Sequence, residues 1–271
     1  MGKSMRFFLF MSLQIVPLLQ IDGRMYGNGQ RSVEKHRYNL VEGLSDIYIT
    51  AGSQKIGQTW FKDGNVWEKQ LIRMFYSLLP TDDFFVALDV GAQTGCFSLL
   101  AKYFPNSTWY AFEPIREVAS ALQDNLELNG IHNVFVHPMA AADFSGKTTI
   151  KLPAMHEWGL ATIGSNVQRF NTVEEREIEC LDLDSFVSAL QIKKVHFMKI
   201  DTEGAELLIL RGAKQMIMRD HPIILMECNE INMKQCGVHK ADIDIFLAEM
   251  GYKWELISSE DILCVPITQG N

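Results

Sequence analysis

The chain has 271 residues and a formal net charge of −8, with 47% apolar and 21% charged residues. That length suits one α/β domain with an N-terminal extension better than two full domains, and the composition is that of an ordinary soluble globule. The acid excess, without any cluster of Lys and Arg, excludes a general nucleic-acid-binding surface, which has to neutralise many phosphates.

At the N-terminus, Lys3 and Arg6 precede an apolar run from Phe7 to Ile21. It resembles a signal h-region but contains Pro17, lacks a small-x-small cleavage site and is too short to span a bilayer comfortably. A packed helix or strand and a membrane-associated or targeting role are both open for residues 1–44, read as an extension ahead of a domain over 45–271. Arg6 stands where a myristoylation signal wants Ser or Thr. The five cysteines are scattered, with no CxxC pair and no metal-type spacing, and read as reduced thiols of a cytoplasmic protein.

From Val66 the chain alternates short apolar strands with amphipathic helices, the pattern of a mostly parallel sheet covered on both faces. A helix over Val66–Leu79 stops at Pro80 and leads to a strand at Phe84–Val90. A helix at Thr94–Phe104, a strand at Thr108–Phe112, a helix from Ile115 to Leu128 ended by Asn129-Gly130, and a strand at Asn133–Pro138 follow. The alternation lapses between Gly146 and Cys180 into β-prone pieces at Thr148–Leu152 and Glu177–Cys180. It resumes with strand Val195–Ile200, helix Ala205–Arg219, strand Ile223–Cys228 and helix Lys240–Met250. Strands Lys253–Ile257 and Ile262–Pro266 have no helix between them and so should pair antiparallel. The expected fold is a doubly wound α/β sheet of seven strands, one of them antiparallel.

In such a sheet a ligand sits outside the carboxyl ends of the strands, where the strand order reverses. Each strand end in question carries an acid. The first is Asp89-Val-Gly91-Ala92-Gln93-Thr-Gly95, where Gly91 permits a tight turn and Gly95 lets the following helix approach a ligand backbone-first. The GxxxG spacing does not meet the dinucleotide fingerprint GxGxxG. A carboxylate at Asp89 would repel a pyrophosphate and attract the cationic amino group of S-adenosylmethionine. Glu113, roughly 20 residues further on, is placed to accept both ribose hydroxyl hydrogens, and Pro114 opens the next helix. After the third strand, Ala140 and its neighbours leave a flat slot for adenine, with Asp143 as an acceptor for its exocyclic amine or as a turn cap. The cofactor-contacting set is therefore Asp89, Gly91, Ala92, Gln93, Gly95, Phe97, Glu113, Pro114, Ala140, Asp143 and Asp201.

The fourth strand delivers Lys199-Ile-Asp201-Thr-Glu203-Gly-Ala-Glu206. Alternation puts Lys199 and Asp201 on one side, with Asp201 at the carboxyl edge, and Glu203 and Glu206 on one face of the following helix start. The fifth strand ends Glu227-Cys-Asn229-Glu230, so Asp201 and Glu227 face each other across adjacent strand ends. Their gap suits a proton, a substrate hydroxyl or, through Asp201, Glu227 and Asn229, a divalent cation, which is the lesser option because carboxylates alone do not identify an ion. A structural ion-pair network around Lys199 explains part of the same charge pattern.

The runs DVGAQTG, AFEP, AAADFSG, KIDTEGAELLILRGA and HPIILMECN closely resemble the FkbM-type methyltransferases over roughly Ser45 to Val265, with Gln93 standing where that family usually has Asn. The resemblance implies the class I methyltransferase (Rossmann-like) fold and O-methylation of hydroxyl groups on sugars or related natural products. On that reading Asp201 is the base or hydroxyl-orienting acceptor, Glu203 and Glu227 assist, and Lys199 tunes their charge. Trp60 and Trp158 are candidates for a lid stacking on a sugar face or for simple packing. A nicotinamide-dependent oxidoreductase and a non-catalytic binding module are the competing readings.

Overall fold

Residues 34–52, 61–62, 65–66, 69–81 and 83–267 are described by the structure, a computed structural model; the Phe7–Ile21 run and Trp60 lie outside the described residues. The central sheet has seven strands: β1 (Val86–Val90), β2 (Thr108–Phe112), β3 (Val134–His137), β4 (Phe197–Ile200), β5 (Ile223–Glu227), β6 (Tyr252–Leu256) and β7 (Asp261–Pro266). Their spatial order is β6-β7-β5-β4-β1-β2-β3. All neighbours pair in parallel except β7, which runs antiparallel to both β5 and β6. This is the expected seven-stranded doubly wound sheet, with its order reversing between β1 and β4.

Full burial of β1 and β4 follows from cover on both faces, and the two-residue period sorts their side chains. Val86, Leu88, Val90, Met198 and Ile200 enter one apolar cluster, whereas Ala87 and Phe197 enter the other. In the second cluster Phe75, from helix α1 (Lys69–Leu78), sits edge-on to Phe97 with ring centroids 5.4 Å apart. Phe197 and Trp109 pack on the same ring. Each fully buried ring of this kind contributes about 1.5–3 kcal/mol.

Helix α2 (Arg116–Leu128) covers the same side and supports a hairpin of strands Lys35–Tyr38 and Ile47–Thr50. Asn125 and Asn129 accept from the backbone N–H groups of Thr50 and Tyr48 at 3.0 and 2.8 Å, so two helix amides satisfy the hairpin edge that would otherwise be unpaired. Further α-helices among the described residues are α3 (Leu183–Ala189), α4 (Glu206–Gly212), α5 (Lys214–Asp220), α6 (Glu230–Gln235) and α7 (Lys240–Glu249).

Three local expectations are corrected. The helix expected over Thr94–Phe104 is a 3₁₀ helix confined to Ser98–Tyr103, because Gln93 and Gly95 both have left-handed backbone (φ 50° and 105°) and a helix cannot propagate through them. The helix expected over Ala205–Arg219 is two helices, α4 and α5, meeting at Ala213. Gly212 just before that break packs so closely on the chain after β3 that a Cβ would lie 1.9 Å from the carbonyl oxygen of Ala142. The irregular stretch after Gly146 is an antiparallel hairpin of Gly146–Leu152 with Glu174–Leu181, and the strand Ala140–Ala141 joins its second arm in parallel. The 3₁₀ helix Met155–Leu160 and an irregular segment to residue 173 connect the two arms.

Candidate active site

At the carboxyl ends of β1, β2, β4 and β5 lies a cavity of about 320 Å³. Gly91, Gln93, Glu113, Pro114, Ala140, Asp201, Glu203 and Glu227, all anticipated as site residues, line it together. The hairpin insert adds Ile150, Trp158, Ile163 and Arg169, and the β6–β7 turn adds Ser258 to Asp261. Trp158 is buried against Ile115, Val118, Ile150 and Leu152, so it is at once core and wall.

Glu113 is buried at the end of β2, where its two carboxylate oxygens accept from the backbone N–H groups of Gln93 (3.0 Å) and Ile115 (2.9 Å). Burial pushes its pKa up to about 7 against those two N–H donors, which favour the charged form. Each oxygen keeps lone-pair capacity for a further donor. Next to it, the side-chain oxygen of Gln93 accepts from the N–H and hydroxyl of Thr94, leaving the buried Nε2 with no partner among the described residues. Buried amide donors rarely stay unpaired, so a ligand acceptor is expected here.

Asp201, at the end of β4, is 3.3 Å from the ammonium of Lys199, with its side chain 23% exposed to the cavity side. Lys199 itself is buried behind the wall, donates to the carbonyl of Gly91 at 2.9 Å and lies 3.8 Å from Asp89. Burial opposes the ammonium charge, but Asp201 and Asp89 outweigh it and hold the pKa above the ordinary lysine value.

Beyond Asp201 the chain turns through Glu203 (φ 57°) and Gly204 (φ 112°), both left-handed. Glu206 stabilises this turn from below: fully buried, it accepts from the N–H groups of Thr202 and Gly204 and from the Thr202 hydroxyl. Glu203 is therefore turned into the cavity, not paired with Glu206 on a helix face as expected. Its carboxylate accepts from Arg169 and from the amide of Asn232, each at 2.7 Å. The same amide donates to Glu227 at 3.0 Å, and Asn232 in turn accepts from Arg169 at 2.7 Å. Burial, then the neighbouring carboxylates, raises the pKa values of both Glu203 and Glu227, Glu227 the more strongly.

Several anticipated contacts are corrected. Asp89 does not line the cavity: β1 and β4 are in register at Asp89 and Lys199, so the pleat puts both side chains on the face of the Phe97 cluster, within the body of the sheet, where Asp89 accepts from Ser98 at 2.5 Å. Phe97 and Ala92 are buried outside the lining; Phe97 lies beneath the Lys199 ammonium, 5.3 Å from its ring centroid. Gly95 serves packing, since a Cβ there would come within 2.4 Å of Leu122 on α2. Asp143 is exposed and outside the lining because the chain leaves the sheet after Ala142. Asn229 caps α6 by accepting from the N–H groups of Ile231 and Asn232 and donates to Glu260 at 2.7 Å, so it is not one of the cation-capable oxygens. That set is Asp201, Glu203 and Glu227, whose nearest carboxylate oxygens all lie within 4.8 Å of one another. Arg169 and Asn232 escaped the sequence reading; the only local signal was a second Asn three residues after Asn229.

None of the five cysteines is in a disulfide, and among the described residues no helix is long and apolar enough to cross a membrane.

The family model described as the methyltransferase FkbM domain matches residues 89–254, more than half of the chain. A protein of Beauveria bassiana (strain ARSEF 2860) named Methyltransferase 1 is 26% identical over 153 residues, spanning 51% of this chain and 61% of that protein. A crystal structure of an FkbM methyltransferase from Methylobacillus flagellatus KT is similar at 16% identity and a TM-score of 0.46, covering 79% of this chain and 58% of that one. A putative methyltransferase of Streptococcus mutans in complex with SAH is similar at 10% identity and a TM-score of 0.45, covering 73% and 97% of the two chains. The chain thus spans about three fifths of the length of the first two relatives. The family match favours the methyltransferase reading over the oxidoreductase one, and the chain belongs to the FkbM methyltransferase family.

Proposed function

We propose that this chain is an S-adenosylmethionine-dependent O-methyltransferase acting on a hydroxyl of a sugar, glycan or related natural product in a reducing, cytoplasmic setting. The observation that carries the reading is the meeting, in one cavity, of a buried ribose-type acceptor, Glu113, with Asp201 at the end of β4. The residues present suit the cofactor: Glu113 has acceptor capacity left, Gln93 offers an unpaired buried donor, and the acid-rich wall complements a cation.

Held by Glu113 and Gln93, S-adenosylmethionine would supply a sulfonium-borne methyl group to an acceptor oxygen, with sulfur keeping the electron pair of the S–C bond, and the acceptor's hydroxyl proton would have to leave. Asp201 takes that proton. Lys199, fixed by Asp89 and the Gly91 carbonyl, holds the Asp201 carboxylate in place from behind. Glu203 and Glu227, oriented by Asn232, assist by accepting from the acceptor's other hydroxyls. Most of the acceleration in such a displacement comes from holding the two reactants in line, with the base adding a smaller share. A metal-assisted variant through Asp201, Glu203 and Glu227 is the lesser option, since these carboxylates are already engaged by Lys199, Arg169 and Asn232.

The test is a methyl-transfer screen over glycosides read by mass spectrometry. Wild type should add one methyl to an accepted substrate and Asp201→Asn should lose at least a hundredfold in turnover. Full turnover by Asp201→Asn would remove the base assignment.

A further inference from the structure

Arg169 lies in the irregular segment of the hairpin insert, far in sequence from the ends of β4 and β5, yet its side chain reaches the groups gathered there. The segment carrying it is fixed at several points. The Thr162 hydroxyl donates to the Glu203 carbonyl at 2.8 Å, and the N–H groups of Asn166 and Gln168 donate to the backbone and side-chain oxygens of Gln235, each at 3.2 Å. Gly164 rests against the Gln235 backbone so closely that a Cβ would be 2.8 Å from it. Arg169 is therefore a pre-positioned group, and little order has to be imposed on it when a ligand arrives.

Its guanidinium is used asymmetrically. Nη1 gives its two protons to the Glu203 carboxylate and to the side-chain amide oxygen of Asn232, both at 2.7 Å. Nε and Nη2 have no hydrogen-bond partner among the described residues, while the residue lines the cavity and its side chain is 31% exposed. One half of a rigid, permanently charged fork is anchored and the other half is on offer.

We propose that Arg169 is the acceptor-orienting residue of this site, and that its free donors beside the Glu203, Glu227 and Asp201 carboxylates select a neutral polyhydroxylated acceptor over an anionic one. The proposal rests on the methyl-transfer reading above. A hydroxyl group both accepts and donates, so neighbouring hydroxyls can accept from Arg169 while donating to the carboxylates next to it. A carboxylate or phosphate finds the Arg169 guanidinium already engaged by Glu203, has no hydroxyl proton to donate to the acceptor oxygens of Asp201 and Glu227, and meets Asp201 and Glu260 on the same wall. Like-charge approach in a partly dry cavity is costly, and this is how the site rejects an anion.

The experiment uses the full chain with S-adenosylmethionine and a panel of methyl hexopyranosides and 6-deoxyhexopyranosides, each hexopyranoside matched by its uronate. Cofactor affinity is measured separately by calorimetry. Expected are a kcat/KM at least tenfold higher for neutral glycosides than for the matched uronates, and a KM at least tenfold higher in Arg169→Gln. Cofactor affinity should stay within twofold, and Arg169→Lys should recover only part of the KM loss. A merely structural Arg169 would move the melting temperature and cofactor affinity along with KM. Preference for uronates, an unchanged KM in both variants, or cofactor binding by wild type with no glycoside turned over would each overturn the proposal. Absence of cofactor binding by wild type would remove the methyl-transfer reading itself, and the proposal with it.

Discussion

Gly91 and Asp201 touch: a Cβ on Gly91 would lie 1.8 Å from the Asp201 carbonyl oxygen. The glycine is required on two counts, since its backbone is also left-handed at φ 77°. It joins the loop after β1 to the end of β4, and so ties the place where the cofactor is expected to the residue expected to take the proton. Gly91→Ala should push β1 and β4 apart at their ends. We expect a loss of about 2–4 kcal/mol, in the range of overpacking plus backbone strain, measured by urea denaturation. Wild-type stability in this variant would contradict the close approach.

The Lys199 ammonium serves Asp201, Asp89 and the Gly91 carbonyl at once. Removing it strands buried carboxylates without a counter-charge, which typically costs about 3–5 kcal/mol. Lys199→Met should therefore melt well below wild type. A melting temperature equal to wild type would mean that the network contributes nothing to stability.

Glu113 offers a pH signature. With its pKa raised to about 7, the carboxyl is largely protonated below that value and charged above it, and the charged form is the better acceptor of two hydroxyls. S-adenosylmethionine should accordingly bind more tightly as pH rises from about 6 to about 8, and Glu113→Gln should bind weakly with no such trend. Calorimetric titrations at several pH values check this; a flat profile in wild type would count against it.

Glu227 gives a stability signature. Its folded-state pKa is raised above the unfolded one, so its contribution is fully present at pH below the unfolded value and is lost as pH rises through the folded one. Glu227→Gln should relieve that loss, raising the melting temperature by about 2–4 °C at alkaline pH and changing it little near pH 5, for each kcal/mol relieved. Equal effects at both pH values would show that Glu227 is already charged in the folded protein.

Much of this fold is legible in the sequence because strands covered on both faces read as continuous apolar runs; Val86–Val90 and Ile223–Glu227 carry almost no other signal. Positions set by distant packing are not legible in the same way. Left-handed turns at Gln93 and Gly95 shorten the helix after β1, and Ala142 presses on Gly212 at the break between α4 and α5. The same holds in the site. Glu113, Asp201, Glu203 and Glu227 follow from the rule that ligands sit at strand ends. Asp89 answers to the pleat and not to the glycine turn beside it, and the lysine inside the apolar run Phe197–Ile200 is the sequence signal that demands a buried acid. Arg169 reaches Glu203 through a tertiary contact between segments 34 residues apart, and no local pattern announces such a contact.

The central claim is that S-adenosylmethionine binds in the cavity between Glu113 and Asp201, and isothermal titration of the full chain measures it most directly. One site per chain is predicted, with affinity reduced about 10–100-fold in Glu113→Ala through loss of charge-assisted hydrogen bonds, and with no binding of NADH. No heat of binding with S-adenosylmethionine, or undiminished affinity in Glu113→Ala, would contradict the account.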